Sequence, residues 1–382
     1  MNLHWSYWEK ETFSGPWQFV VIGAGIVGMS TALELRTRFP KASIAIVERG
    51  SLPSGASSRN AGFACFGSPG ELEEDLQIMP IEKILELVSL RWQGLQILVN
   101  RLGAEVIDFQ ALGGHEIFTP AEGDVYEHLL NRLSFWNEQL HPITGLKETY
   151  SNVSNKDKFV GMKGILGMLS IQGEGQINTG KMIQALWNHC LQNNIRFFNG
   201  LSVERIEQDS PNHRIWVSGS NSIIAETVIV CTNGFARQLF PELPVNPARA
   251  QVWVTEEIPQ LQIQGTYHYQ SGYYYFRNIG NRILVGGGRN LDLSGEETWE
   301  EGSSEIIQNG IKALLENTIL PGYSTPPAYQ WSGTMGVGKD KFPLIQKHAE
   351  RIWIAVRMGG MGVALGSAVG REIALKIEAE IG

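Results

Sequence analysis

The segment WQFVVIGAGIVG, residues 17–28, decides how this chain folds. Its first six residues are mostly apolar and predict a buried strand. Gly23, Gly25 and Gly28 then fit the pattern Gly-x-Gly-x-x-Gly. In that pattern the first glycine makes a tight turn, the second lets a backbone approach a pyrophosphate, and the third allows close packing of helix on strand. The segment therefore predicts a dinucleotide site at the start of a helix.

The residues that follow complete a strand–helix–strand unit. Residues 26–39 read as a helix that ends at Pro40, and residues 43–48 read as a second apolar strand. Glu48 ends this strand 20 residues after Gly28, where a carboxylate accepts hydrogen bonds from ribose hydroxyls. The same carboxylate disfavours the 2′-phosphate of NADP. A glycine turn in an unrelated α/β protein is the alternative interpretation of the pattern.

A second loop, residues 54–63, follows the second strand and is rich in small and hydroxyl-bearing residues. Such residues allow close approach to a pyrophosphate and to an isoalloxazine ring. NAD enzymes have no need of such a loop at this point in the chain. The loop therefore favours a flavin dinucleotide, and the alternative is a flexible surface loop.

Later segments add further nucleotide-binding pieces. A strand over residues 228–231 runs into the turn 232–234, and a strand over 351–356 leads to a glycine cluster at 359–366. Between them the sequence predicts a long helical region from about 71 to 102, and mostly strands from 250 to 288. Because the nucleotide-binding pieces lie at the start, middle and end, we expect interleaved domains.

Composition excludes several classes of function. The 382 residues carry a net charge of −8 without basic blocks, which disfavours nucleic-acid binding. No apolar run predicts a membrane span, and the N-terminus lacks the features of a signal peptide. Three cysteines without a Cys-x-x-Cys pair argue against a disulfide framework or a cysteine zinc site. We therefore expect a cytoplasmic protein with no metal.

Taken together, these motifs resemble those of the D-amino-acid oxidase-type flavoproteins, which include glycine oxidase, monomeric sarcosine oxidase and gamma-glutamylputrescine oxidase. The resemblance extends over residues 18–372. It rests on the glycine turn, Glu48, GASSRNAG (55–62), Val203, VCTNG (230–234), WSG (331–333) and GGMGVALG (359–366). The Arg59-Asn60 pair and the motif GGMGVALG most resemble the gamma-glutamylputrescine oxidase branch.

The resemblance implies non-covalent FAD, since the second loop has no histidine for attachment and no cysteine stands at the family's C-terminal attachment position. It assigns cofactor contacts to the shared motifs, at Gly23, Ala24, Gly25, Ile26, Val27, Gly28, Glu48, Arg49, Ala56, Ser57, Ser58, Arg59, Asn60, Ala61, Gly62, Phe63, Val203, Thr232, Gly234, Gly359, Gly360, Met361, Gly362, Val363 and Ala364.

The fold implied is α/β, with a Rossmann-like FAD domain of the glutathione reductase type interleaved with a mixed-sheet α+β substrate domain. The FAD domain would comprise residues 17–75, 166–245 and 326–382, and the substrate domain 76–165 and 246–325, behind an N-terminal arm of residues 1–16. The implied chemistry is oxidation of a C–N bond of an amine or amino acid. Hydride passes to flavin N5, the imine hydrolyses, and dioxygen or another acceptor re-oxidises the flavin.

On the substrate side, Tyr273 matches a substrate-contacting tyrosine of the family, although a packed aromatic sheet would account for it equally well. His268 precedes a hairpin that the sequence predicts from strands over 273–277 and 282–285, and it is a weaker candidate. Trp331 begins the Trp-x-Gly motif, and Met335 stands where amino-acid-oxidising members have an arginine that clamps the substrate carboxylate. We therefore expect an amine whose reacting carbon need not carry a carboxylate.

Other readings of the same motifs remain open. The charge that Met335 lacks could come from Arg249, Arg289, Arg357 or Lys339. The enzyme could be a dehydrogenase that passes electrons to an acceptor other than dioxygen. A flavin-binding protein without catalysis and a nicotinamide dehydrogenase are further alternatives.

Overall fold

The structure is a computed structural model of the chain that describes residues 4–153, 159, 161–209 and 211–382. The first three residues of the predicted arm lie outside the described residues. So do positions 154–158 and 160 of the predicted substrate domain, and position 210 of the predicted FAD domain.

The described residues form nine α-helices: α1 (Tyr7–Phe13), α2 (Ile26–Arg38), α3 (Ala56–Arg59), α4 (Pro69–Asp75), α5 (Ile81–Leu102), α6 (Gly123–Thr144), α7 (Thr179–Gln192), α8 (Glu305–Leu314) and α9 (Gly362–Ile381). The prediction of one helical region over 71–102 is wrong, because α4 and α5 are separate helices. Pro80 lies between them, and a proline disfavours helical geometry in the residue before it.

The strands of the described residues are β1 (Trp17–Ile22), β2 (Ile44–Glu48), β3 (Phe63–Ala64), β4 (Gly114–Phe118), β5 (Tyr150–Asn152), β6 (Gly167–Ile171), β7 (Gly175–Gln176), β8 (Arg196–Asn199), β9 (Val203–Asp209), β10 (Asn212–Val217), β11 (Asn221–Val230), β12 (Asn246–Val254), β13 (Thr266–Tyr269), β14 (Tyr274–Ile279), β15 (Arg282–Gly287), β16 (Tyr329–Val337), β17 (Leu344–Ala349) and β18 (Ile352–Val356).

The first sheet is built around β1, as the opening motif predicts. Its main order is β17-β18-β11-β1-β2-β8, and β1 pairs in parallel with both β2 and β11. Helices α2, α5, α7 and α9 cover one face with a large apolar core. Because all the strands from β18 to β8 run parallel, their carboxyl ends meet at one edge, where α/β folds bind ligands.

The second sheet is mixed, in the order β16-β12-β15-β14-β13-β4-β6-β5, with β4 and β13 the parallel pair. Helix α8 packs on its outer face through Ile307, Ile311 and Leu314. On the inner face Val252 and Leu284 pack against Ala61 of the second loop. The second sheet thus forms a wall opposite the carboxyl edge of the first, and the site lies between the two.

Candidate active site

A cavity of about 690 Å³ runs from the glycine turn after β1 to the inner face of the second sheet. Ligand cavities are typically about 300–1,000 Å³. Most of the residues predicted to contact a cofactor line it: Gly23, Gly25, Ile26, Val27, Glu48, Arg49, Ala56, Ser57, Arg59, Asn60, Ala61, Phe63, Val203, Thr232 and the run from Gly359 to Ala364. Ala24, Gly28, Ser58, Gly62 and Gly234 lie outside the lining.

The glycine turn has the geometry that its sequence requires. Gly23 has a φ of +103°, a conformation that residues with side chains rarely adopt. Gly28 lies beneath the turn on α2, and a Cβ there would collide with the backbone oxygen of Gly23. The first and third glycines therefore serve the turn and the helix packing, and leave the N-terminus of α2 facing the cavity.

Glu48 is buried at the end of β2, beside this turn. Its carboxylate accepts hydrogen bonds from the backbone N–H groups of Ala24 and Gly50, each at 2.9 Å. The side chain therefore ties the glycine turn to the loop after β2 as well as facing the cavity. Nearby, the Arg49 guanidinium lies 3.8 Å from the centre of the Phe235 ring, and both residues line the same end.

The second loop contains the short helix α3, which packs beside the start of α2. The Ser57 hydroxyl accepts the backbone N–H of Ile26 at 3.0 Å, so it occupies one of the open donors at that helix N-terminus. The Asn60 side chain donates to the Ala56 and Ser57 carbonyls and accepts from the Gly62 N–H. These bonds fix the loop from within.

Arg277 fixes the same loop from the second sheet. It is buried on β14 and donates to the backbone carbonyls of Ala61 and Ile177. Burial lowers the pKa of this arginine to about 10. The sequence places Arg277 on one face of its strand with Tyr273 and Tyr275, but gives no sign that it would hold the loop around Gly62.

Two observations indicate that the cavity fits FAD. The hydroxyl of Thr232, which lines the cavity, is buried and has no hydrogen-bond partner among the described residues. The 20-residue helix α9 begins at Gly362, so a second helix N-terminus opens on the cavity near that of α2. An unpaired donor and two helix N-termini suit a ligand with hydroxyls and a pyrophosphate.

The other end of the cavity is aromatic and lies against β13 and β14. The Phe63 ring packs edge to face with the rings of both His268 and Tyr275, at centre-to-centre distances of 5.4 and 5.6 Å. Burial raises the pKa of Tyr275 to about 12, so this phenol stays neutral. Tyr273 is 37% exposed and lines the cavity as well. The phenols of Tyr273 and Tyr275 and the imidazole of His268 therefore bring polar groups to this wall.

Met335 and Trp331 both lie on β16, but only Met335 lines the cavity. Trp331 packs with the cluster around Ala61 and donates from its indole nitrogen to the Arg59 carbonyl at 2.9 Å. It is therefore placed to support the second loop. Arg59 also forms a 3.0 Å ion pair with Glu301.

The arginines considered as carboxylate partners differ in what they contact. Arg249 forms a two-point ion pair with Glu296, at 2.8 and 2.9 Å. Arg357 pairs with Asp340 and donates to backbone carbonyls. Arg289 lines the cavity, as does Lys339, and neither has a charged partner among the described residues.

A buried cluster of charged residues, which sequence reasoning missed, adjoins the aromatic end. Glu71 pairs with Arg91 and with Lys341, at 3.0 and 3.1 Å, and Lys341 also pairs with Asp75 at 2.7 Å. Burial alone would raise the pKa of Glu71, but the charges of Arg91 and Lys341 outweigh it and lower that pKa to about 2. The signal that could have located α4 is Ser68-Pro69, since Ser68 caps the helix through the Glu71 N–H.

Comparisons with known proteins agree with this geometry. Residues 18–375 match the sequence model of the family described as DAO, FAD dependent oxidoreductase. The chain is 25% identical to glycine oxidase of Geobacillus kaustophilus over 370 residues, which cover 94% of this chain and 92% of the relative. Glycine oxidase from Bacillus cereus has a similar structure, with a TM-score of 0.75, 16% identity and 96% of each chain covered. L-proline dehydrogenase from P. horikoshii has a TM-score of 0.74 at 16% identity, covering 94% of this chain and 92% of that one. At that identity the two structures support the fold alone.

Proposed function

This chain belongs to the DAO family of FAD-dependent oxidoreductases, and we propose that it oxidises a C–N bond of an amine or amino acid. The observation that carries the proposal is that one continuous cavity joins a dinucleotide turn to an aromatic wall. Bound FAD supplies the hydride-accepting chemistry, and the protein supplies binding, orientation and electrostatics.

The residues that would hold FAD fall into three groups. Gly25 and Val27 line the cavity at the α2 N-terminus, which would face the pyrophosphate, and Glu48 offers a carboxylate to ribose hydroxyls. The loop 56–63 and the run 359–364 flank the aromatic end. Thr232 has an unpaired hydroxyl available for a further hydrogen bond.

For the substrate, we propose an amine whose reacting carbon need not carry a carboxylate. Met335 lines the cavity and cannot pair with an anion, while Arg249 and Arg357 are already committed to Glu296 and Asp340. Tyr273, at the open side of the cavity, is our candidate for contacting the substrate. Dioxygen or another acceptor would then re-oxidise the flavin.

We keep the interleaved domain assignment as part of this proposal, with FAD bound by residues 17–75, 166–245 and 326–382. The substrate domain then comprises 76–165 and 246–325. Two strands of the FAD segments, β6 and β16, pair within the second sheet.

No helix in the described parts of the chain is both long and apolar enough to cross a membrane. The buried, free Cys65, Cys190 and Cys231 support our proposal of a cytoplasmic location.

Matched pairs of substrates test the proposal. We would compare kcat/KM for an amino acid with kcat/KM for the amine that its decarboxylation gives. The proposal predicts that the amine is the better substrate, since a buried carboxylate without its partner costs about 2–5 kcal/mol. A much higher kcat/KM for the amino acid would contradict it and direct attention to Arg289.

A further inference from the structure

His268 is the one histidine among the described residues that lines the cavity. It lies on β13, opposite Tyr275 of β14 and Glu116 of β4, and its relative exposure is 7%. Its ring packs edge to face on Phe63, the last residue of the second loop. A titratable group is therefore held in the aromatic wall of the proposed site.

Glu174 holds this imidazole in one orientation. His268 Nε2 lies 3.2 Å from Glu174 Oε2, and the other carboxylate oxygen accepts the backbone N–H groups of Phe66 at 3.1 Å and Gly67 at 3.4 Å. A carboxylate is only an acceptor, so in the neutral imidazole Nε2 carries the hydrogen and Nδ1 carries the lone pair. Nδ1 faces Gly272, which also lines the cavity, and lies 4.0 Å from where a Cβ on that glycine would stand.

We propose that His268 is a catalytic residue that accepts a proton from the substrate's ammonium group at Nδ1, with Glu174 as the positioning residue behind it. This inference rests on the proposed function. An amine enters from water mostly as an ammonium ion, whose nitrogen lone pair is engaged in an N–H bond. When that bond breaks, the proton goes to Nδ1 and the electron pair stays on nitrogen. The neutral amine can then lose hydride to the cofactor, and His268 returns its proton to solvent.

The groups around His268 favour proton acceptance. Burial alone would lower the pKa of His268, but its bond to Glu174 and the charges of Glu174, Glu116 and Glu71 raise it. Burial raises the pKa of Glu116 to about 7, so only part of its negative charge is present at neutral pH. The cations of the cluster, Arg91 and Lys341, are paired with Glu71.

The neighbouring thiol and phenol are neutral. Burial raises the pKa of the Cys65 thiol well above its usual range, and that of Tyr275 to about 12. Cys65 Sγ and the ligand atoms of Glu174 and His268 lie within 4.8 Å of one another. The Cys65 thiol is protonated and lies 3.9 Å from Met361 Sδ, and His268 Nε2 is bound to Glu174, so we do not interpret the trio as a metal site.

The first test uses the holoenzyme with His268→Gln and Glu174→Gln. The enzyme is mixed rapidly with an amine in the absence of oxygen, and the rate of flavin reduction is measured across a range of pH. We expect the wild-type rate to rise with pH through a pKa above the ordinary histidine value. His268→Gln should lose this limb and be about 100-fold slower or worse at neutral pH. Glu174→Gln should move the limb to lower pH. A limb that survives in His268→Gln at the wild-type pKa would overturn the proposal.

A second substrate separates proton acceptance from a structural role. An amine that is already neutral at the assay pH, because fluorine on its carbon chain lowers its pKa, needs no base. The loss in His268→Gln should then shrink at least tenfold relative to the ordinary amine. His213→Gln is the matched control, since His213 is buried on β10 and does not line the cavity. Equal losses with both amines would overturn the proposal.

NMR of the His268 ring gives a readout that does not depend on turnover. The holoenzyme is labelled with ¹³C and ¹⁵N at histidine, and the His268 signals are assigned by their absence in His268→Gln. These signals should report the Nε2–H tautomer and a pKa above the ordinary histidine value. An Nδ1–H tautomer would overturn the proposal. Failure of every amine to reduce the flavin would refute the proposed function, whereas reduction with equal losses for both amines would refute only the role of His268.

Discussion

Replacing Gly28 with alanine should separate the packing of the glycine turn from helix propensity. Alanine favours a helix over glycine by about 0.8–1 kcal/mol, so propensity alone predicts a more stable α2. A Cβ on Gly28, however, would lie more than 1 Å inside the 3.0 Å separation that real Cβ atoms essentially never breach, and the atom it meets is the Gly23 backbone oxygen. We therefore expect α2 to move away from β1, so that its N–H groups no longer donate hydrogen bonds to the pyrophosphate.

The expected loss follows from those hydrogen bonds. Each bond to a charged group is worth about 1.5–3 kcal/mol, so losing two weakens FAD binding by at least about 3 kcal/mol, or roughly 150-fold. The assay is titration of apoprotein with FAD, read by quenching of flavin fluorescence. Gly55→Ala is the matched control, because Gly55 lines the same cavity and a Cβ there meets nothing within 4 Å. If the two variants bind FAD within about threefold of each other, the reasoning is refuted.

Four further predictions concern the cofactor, the pH response and the substrate. Glu48→Gln keeps one acceptor oxygen but loses the charge, so FAD affinity should fall at least about tenfold in the same titration. Unchanged affinity would show that Glu48 does not bind the ribose. Acid precipitation of the holoprotein should leave the flavin in the supernatant, and flavin retained in the pellet would mean a covalent bond. Because burial raises the pKa of Glu116 from 4.5 to about 7, the folded state keeps a proton that the unfolded chain releases, and the stability from this group falls as pH rises between those values. Glu116→Gln should remove that slope in denaturant unfolding measured across this pH range, and an identical slope would refute the pKa assignment. Met335→Arg should shift the kcat/KM ratio toward an amino acid over its decarboxylated amine by about 30-fold or more, and an unchanged ratio would place the carboxylate elsewhere.

The residues that begin the cofactor site lie close together in the sequence, so this part of the site could be predicted. The turn from Gly23 to Gly28 and the carboxylate of Glu48 belong to one strand–helix–strand unit, so their spacing fixes their relation in space. The pairing of β1 with β2 confirms that unit. The resemblance supplied the rest of the cofactor motifs, which come together at the carboxyl edge of the first sheet.

The substrate side depends on contacts between distant segments, and no spacing predicts them. His268 and Glu174 are 94 residues apart, and Arg277 reaches the carbonyl of Ala61 across 216 residues. Trp331 illustrates the same difficulty. Its motif predicts a place in the site, whereas its indole bonds the Arg59 backbone behind the second loop.

Anaerobic mixing of the purified yellow protein with a panel of amines and matched amino acids tests most directly whether it oxidises a C–N bond. We expect at least one amine to bleach the oxidised-flavin absorbance. We also expect one equivalent of the corresponding carbonyl product per flavin reduced, because the imine hydrolyses. A protein that carries FAD but is reduced by none of these compounds would not be an amine oxidoreductase of the kind we propose.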